Sequence, residues 1–259
     1  MAALLAVLVA APAVCSANSL SAQWQQDYRL YKEFSESGHE LDRESGWLPA
    51  LALSGEGDLS DAVSVSAGLR VSDGRLNYQG QTQNGSALNT QAGAVYQEQQ
   101  LGLGYTTAGY GVWSGGLYRQ RWSRDIRPTT ASAQLKEFYD WYGPWLAATA
   151  HWQKESWQGS VRLEGRYRFA GQLTLDLQEQ GLGKPDITLQ GGGSLRLLNH
   201  AQFALSRYWS LSLSAGLEGA RYPRSETVDV RSGSRIIHLA EPESLEWRLQ
   251  LGAGADFVW

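Results

Sequence analysis

The stretch that most constrains the fold is the last one, Glu246–Trp259. Taken alternately, its residues read Trp247, Leu249, Leu251, Ala253, Ala255, Phe257 and Trp259 on one side, and Glu246, Arg248, Gln250, Gly252, Gly254, Asp256 and Val258 on the other. A strict period of two sends successive side chains to opposite faces of a β-strand. One face is apolar with a Trp at each end, and the other carries charge, amide and glycine. A soluble sheet would turn the apolar face inward. A membrane barrel would turn it to lipid and set the aromatic residues at the two water interfaces.

The same alternation recurs along the chain, separated by turn-forming residues. Trp24–Phe34, Gly46–Ser54, Val63–Ser72, Val95–Tyr105, Tyr110–Trp122, Lys136–Thr149, Trp157–Phe169, Ile187–Leu205 and Trp209–Leu217 all read as amphipathic strands. Gly55–Asp58 reads as a tight turn. Asp73-Gly74 reads as a bulge that carries Leu76 and Tyr78 onto the apolar set one register later. Trp122, Trp141, Trp145 and Ala147 are placed on the outer face, and Arg224–Glu243 is a long polar tip. With the last strand the count is about ten. Short connections alternate with long ones, as an even-stranded up-and-down barrel with both termini on the periplasmic side requires. The terminal amphipathic strand ending on Trp259 resembles the C-terminal signal of Gram-negative outer-membrane β-barrel proteins. That resemblance implies an all-β transmembrane antiparallel barrel, with Phe257 and Trp259 as its assembly signal. It also implies the barrel-assembly machinery and periplasmic chaperones as partners, along with outer-membrane lipid and lipopolysaccharide.

Composition agrees with export. Ala2–Ala11 is a short apolar run followed by Pro12 and small residues, the core of a signal peptide cleaved after Ala17 or Ala22. The expected organisation is therefore a signal peptide over 1–22 and a barrel over 23–259. Either cut removes Cys15, the single cysteine. No later apolar run is long enough for a spanning helix, which needs ~18 residues or more. A net charge of −4 with scattered basic residues gives no nucleic-acid signature. A monomer is the expected state.

The second face of the strands decides what such a barrel can do. Arg29, Glu33, Arg70, Glu98, Arg119, Arg121, Arg162, Glu164, Arg166, Arg168, Arg196, Glu218 and Arg248 fall on it, with small residues between them. A barrel of this strand number has a lumen that side chains can fill. Charges confined there need partners, so a hydrogen-bonded Arg–carboxylate network is expected. Arg43, Arg75, Arg124, Arg127, Arg221, Arg224, Arg231 and Arg235 fall at the outer rim. Arg124 and Arg127 either hold an anionic ligand there or pair with carboxylates such as Glu137 and Asp140; the pairing is the stronger reading.

Three functions follow. A closed barrel with a structural role, or one that binds lipopolysaccharide or another ligand at its surface, fits the crowded lumen best. A narrow channel favouring anions is the alternative, and a surface hydrolase comes third. The chain resembles the omptin proteases in size, strand count and loop arrangement, but has no Asp-x-Asp or Asp-x-His from which their site could be carried over. His39 with Asp42 and Glu44 is the one cluster close enough in sequence for a general base. No catalytic residue, metal ligand or cofactor is assigned.

Overall fold

A computed structural model describes residues 18–81, 87–107, 111–129, 133–232 and 235–259. Most of the expected signal peptide, residues 1–17, lies outside them, as does part of the turn expected over Thr106–Gly109. The wall begins with β1 (Asn18–Phe34), β2 (Glu40–Asp58), β3 (Val63–Gln81), β4 (Ala87–Thr106), β5 (Gly111–Ile126) and β6 (Leu135–Lys154). It continues through β7 (Trp157–Arg168), β8 (Gly171–Asp176), β9 (Asp186–Leu189), β10 (Gly192–Ala204) and β11 (Trp209–Tyr222), and ends with β14 (Glu243–Val258). The strand β6 pairs with β7 along one half and with β8 along the other, so β7 and β8 form a single broken wall strand. β9 and β10 do the same on the next position. Pairing of β14 with both β1 and β11, and of β5 with β6, closes an antiparallel up-and-down barrel of ten wall strands.

Two sequence expectations for the connections change. Gly55–Asp58 belongs to β2, and the turn lies beyond it, where the Leu59 amide donates to the Val63 carbonyl at 2.8 Å. The tip over Arg224–Glu243 is not wholly irregular: β12 (Val228–Ser232) pairs with β13 (Arg235–Leu239) as a separate hairpin. Two strands of such length are too short to show a clear period in the sequence.

The outer face near the termini is a belt of exposed apolar residues that includes Leu51, Leu101, Leu103, Leu117, Leu146, Leu163, Leu195, Leu197, Leu211, Leu213 and Leu251. Aromatic residues bound it on both sides. At the end carrying the termini, Trp209 and Trp259 flank Phe257 at 4.8 and 5.5 Å between ring centroids, and Trp157 meets Phe203. At the other edge, Tyr28 meets Trp47, and Phe169 meets both Tyr142 and Tyr167. Leaving such side chains in water forfeits ~1.5–3 kcal/mol each relative to burying them. Several of the wall strands are much longer than this belt: β4 and β6 have 20 residues each, whereas ~9–11 tilted residues span a bilayer.

Beyond the second aromatic ring the two faces exchange character. On β3 the outer set Val63–Val71 gives way to Asp73, Arg75 and Asn77, while the inner set passes from Ser64 and Arg70 to Leu76 and Tyr78. The β3–β4 pairing runs without a register shift from Val63 to Gln81. There is therefore no bulge at Asp73-Gly74, and Leu76 and Tyr78 face inward. The same exchange puts Trp122 and Trp141 inside, against the sequence expectation. Trp145 and Ala147 also face inward, but at belt height on either side of the outward Leu146, so there it is the phase of β6 that differs from the sequence reading. The cause of the exchange is solvent: beyond the second ring the outer wall meets water instead of apolar surroundings, and the enclosed interior becomes an ordinary core. Tyr31, Leu48, Leu76, Tyr96, Trp122, Tyr139, Trp141, Leu173 and Ile187 form that core, and Val228 and Leu239 of the β12–β13 hairpin pack against it.

Candidate functional site

The interior is layered along the barrel axis, and strand register dictates the layers. One cross-strand row sets Arg29, Arg248, Glu218, Arg196 and Glu164 side by side on β1, β14, β11, β10 and β7. Opposite charges on directly opposed positions attract, and the row is mostly alternating. Arg166 bonds Glu164 at 2.5 Å and Glu98 at 2.9 Å, Arg196 reaches Glu98 at 3.3 Å, and Arg248 bonds Glu218. Arg70 pairs with Asp27, and Arg162 with Glu164 at 2.6 Å. Each removed partner would leave a buried charge uncompensated, so the layer is fixed as a unit.

Above it stands a septum of aromatic rings. Register aligns Tyr96, Trp122 and Tyr139 across β4, β5 and β6. Their rings stack at 5.0 and 4.7 Å, Trp141 continues at 5.0 Å, and Tyr222 on β11 ends the stack at 6.1 Å. In the strand order β4 and β11 stand on opposite walls, so the stack crosses the bore. Guanidinium groups lie on its ends: Arg29 sits 3.1 Å from the Tyr96 ring centre, and Arg168 lies 3.9 Å from that of Tyr222. A cavity bordered by Tyr31, Trp122, Tyr139, Trp141 and Tyr222 at this level holds about 20 Å³.

On the far side of the septum, Arg124 is 2% exposed and bonds Glu44 at 2.7 Å, Glu137 at 2.8 Å, Glu33 at 2.9 Å and Asp42 at 3.0 Å. Tyr31 and Tyr139 each point a hydroxyl at Glu241, at 3.1 and 2.9 Å. One guanidinium thus serves more carboxylates than its charge can balance. Burial pushes the carboxyls of Asp42, Glu44, Glu137 and Glu241 above their ordinary range, neighbouring acids such as Glu33 add to the rise, and Arg124 opposes it.

Of the residues assigned to the lumen from the sequence, Arg29, Glu33, Arg70, Glu98, Glu164, Arg166, Arg168, Arg196, Glu218 and Arg248 are buried inside, and Arg162 lines the same space partly exposed. Arg119 and Arg121 are not there. Their side chains are 47% and 51% exposed on the outer wall, where both reach Asp140, at 2.5 and 3.3 Å. Arg119 donates to that carboxylate and holds it below its usual range. Arg124 is not a rim residue either but the centre of the acidic layer. The phase of β5 runs through Trp113, Leu117, Arg119 and Arg121 on one side and Tyr118, Gln120, Trp122 and Arg124 on the other. Reading that phase from Leu117 would have found it; polarity alone misleads where the faces exchange. Arg127 remains near the mouth, its amide bonded to the Gln91 carbonyl at 3.1 Å.

The cluster of His39 with Asp42 and Glu44 does not form. His39 sits exposed at the β1–β2 tip, while Asp42 and Glu44 point inward to Arg124. His238 meets Asp229 at 2.6 Å across the β12–β13 hairpin, both exposed. Among the described residues no group of His, Cys, Asp and Glu is placed to hold a metal ion.

The fold defines a closed antiparallel up-and-down barrel of ten wall strands, of the outer-membrane type. No protein-family model matches the chain, and no curated protein does. Among solved structures it is similar to the outer membrane protease OmpT from Escherichia coli, with a TM-score of 0.67 at 8% identity, covering 94% of this chain and 97% of that one. It is more loosely similar to the translocator domain of the autotransporter NalP from Neisseria meningitidis, with a TM-score of 0.44 at 14% identity, covering 96% and 92%. The outer membrane protein OprG from Pseudomonas aeruginosa scores 0.43 at 8% identity, covering 95% and 96%. At these identities the first likeness is one of fold, and the latter two carry no argument.

Proposed function

We propose that this protein is an integral outer-membrane barrel that does not conduct, with both termini in the periplasm and its long-strand end outside, serving as a surface-binding module. The apolar belt between two aromatic rings supports the membrane placement. The septum from Tyr96 to Tyr222 supports closure: it stands between the ionic layer and Arg124 with its acids, and the cavity bordered by its rings, about 20 Å³, is too small for a solute. The anion channel weighed from the sequence would need an arginine-lined bore, and the interior arginines here are spent on carboxylates.

Lipopolysaccharide is the surface ligand the outer wall favours. Arg119 lies opposite Tyr142 of the aromatic ring and so stands at headgroup height, and it shares one carboxylate, Asp140, with Arg121. Two guanidiniums against one acid leave positive charge for a lipid phosphate. Two measurements test the reading. In planar bilayers the purified protein gives no channel openings, whereas the Trp122→Ala, Trp141→Ala double variant does; steady openings from the wild type would refute closure. Arg119→Ala with Arg121→Ala lowers the lipopolysaccharide that copurifies, and unchanged copurification would refute the surface role.

A further inference from the structure

Between the ionic layer and the mouth at the terminus end, the lumen is not filled. A cavity of about 620 Å³ opens there and continues into one of about 230 Å³ below Arg70, Glu98 and Arg196; Gln23, Ser54, Gln100, Arg162 and His200 line both. Together they reach the size of small-molecule sites, ~300–1,000 Å³. We propose that this chamber is a binding site for a neutral sugar chain that enters from the terminus end.

The lining argues for that chemistry. Inward positions near the mouth are amides and hydroxyls: Gln23, Gln100, Gln158, Gln202, Ser54 and Ser66. A carboxamide and a serine hydroxyl each donate and accept, as a sugar hydroxyl does, so they match a ligand whose groups all play both roles. An anionic ligand would find little to answer it, because the Arg162 guanidinium is engaged by a carboxylate and two further carboxylates, Glu56 and Asp256, line the mouth. Arg162 bonds Glu164, Glu56 accepts from Ser64 at 2.9 Å, and Asp256 accepts from Gln202 at 2.8 Å. The amides are held in place: Gln158 bonds Gln202 at 3.0 Å and Ser214 bonds Gln23 at 2.9 Å. Gln100 is held less firmly. Its carboxamide oxygen is buried without a partner, and its side chain lies against Gly68, where a Cβ would come within 3.0 Å of it. The roof of ion pairs and stacked rings makes the chamber a blind pocket, so a chain can insert only by its end.

Which compartment this mouth faces rests on the membrane reading above; binding by the solubilised barrel does not, so the two can fail separately. The test is calorimetric titration of the full barrel in dodecylphosphocholine, since sugar-headed detergents would compete. The probes are maltotriose for a free oligosaccharide and chitotriose for an N-acetylated wall-type glycan, with citrate as a charged control. The expected result is saturable binding of at least one trisaccharide and none of citrate. Ser66→Phe, which fills the chamber without touching the ionic layer, should weaken the binding at least tenfold while the unboiled band still migrates as a folded barrel. Gln100→Ala should weaken it less, by several-fold. If chitotriose alone binds, a wall-type glycan is the ligand; if maltotriose alone binds, a free oligosaccharide is. Absence of binding by both sugars, equal binding of citrate, or sugar binding undiminished in folded Ser66→Phe would each overturn the proposal.

Discussion

Replacing Arg124 with Met keeps most of the side-chain volume and removes the charge that holds Glu33, Asp42, Glu44 and Glu137 together. A hydrogen bond to a charged group contributes ~1.5–3 kcal/mol, so simple addition over these contacts would reach roughly 6–12 kcal/mol. Such addition overshoots, because the acids can take up protons or relax. Loss of one partner from a buried ionic cluster costs ~3–5 kcal/mol, and that is the expected destabilisation at pH 7. The pH dependence separates electrostatics from packing. Burial already raises Asp42, Glu44, Glu137 and Glu241 in the folded protein, so the folded state holds more protons than the unfolded chain between the ordinary and raised values. Their contribution is fully present below the ordinary carboxylate range and is lost as pH rises through the raised values. Without Arg124 the acids rise further, and the variant should regain much of its deficit as pH falls from 8 towards 5. The assay is the midpoint temperature of the gel shift between folded and boiled barrel, with urea unfolding in detergent, across that range. A deficit that stays constant with pH, or a variant as stable as wild type at pH 7, would refute the shared-cation account.

The remaining predictions concern assembly, and each follows from pairing or close contact in the wall. A Cβ at Gly143 would run into the backbone carbonyl of Tyr167, so Gly143→Ala should leave most of the protein unfolded, read as loss of the fast-migrating unboiled band. Ser19–Ala22 pair with β14 from Val258 to Ala255, so processing after Ala17 keeps a seam that processing after Ala22 would shorten; N-terminal sequencing of the mature protein should begin at Asn18. Phe257 is paired with Leu20 and packed on Trp209 and Trp259, and deleting Phe257–Trp259 should abolish surface accumulation, measured by whole-cell proteinase accessibility against an intact control.

The barrel was legible because its evidence is local. Alternation in Val63–Ser72 or Glu246–Trp259 needs no knowledge of neighbours. The ionic layer was legible for the same reason: Arg166, Glu164, Arg196 and Glu218 sit on the polar side of strands whose apolar side is plain. Arg119, Arg121 and Arg124 were not legible from polarity, since the rule that polar means inward holds only within the belt. Past Tyr142 and Trp47 the outer wall meets water, and the same rule points the wrong way.

What the sequence determined by itself was the period of two, and with it the strand fold and the paired faces of each strand, because side-chain direction in a strand is fixed by backbone geometry. What only the tertiary structure decided was which face is inside at each height and which charges meet. Arg124 finds its acids on β1, β2 and β6, separated from it by as many as 91 positions in the chain. Tyr96 and Tyr222 are brought to opposite ends of one stack only by closure of the barrel. Register and closure set those distances, and they depend on every strand at once.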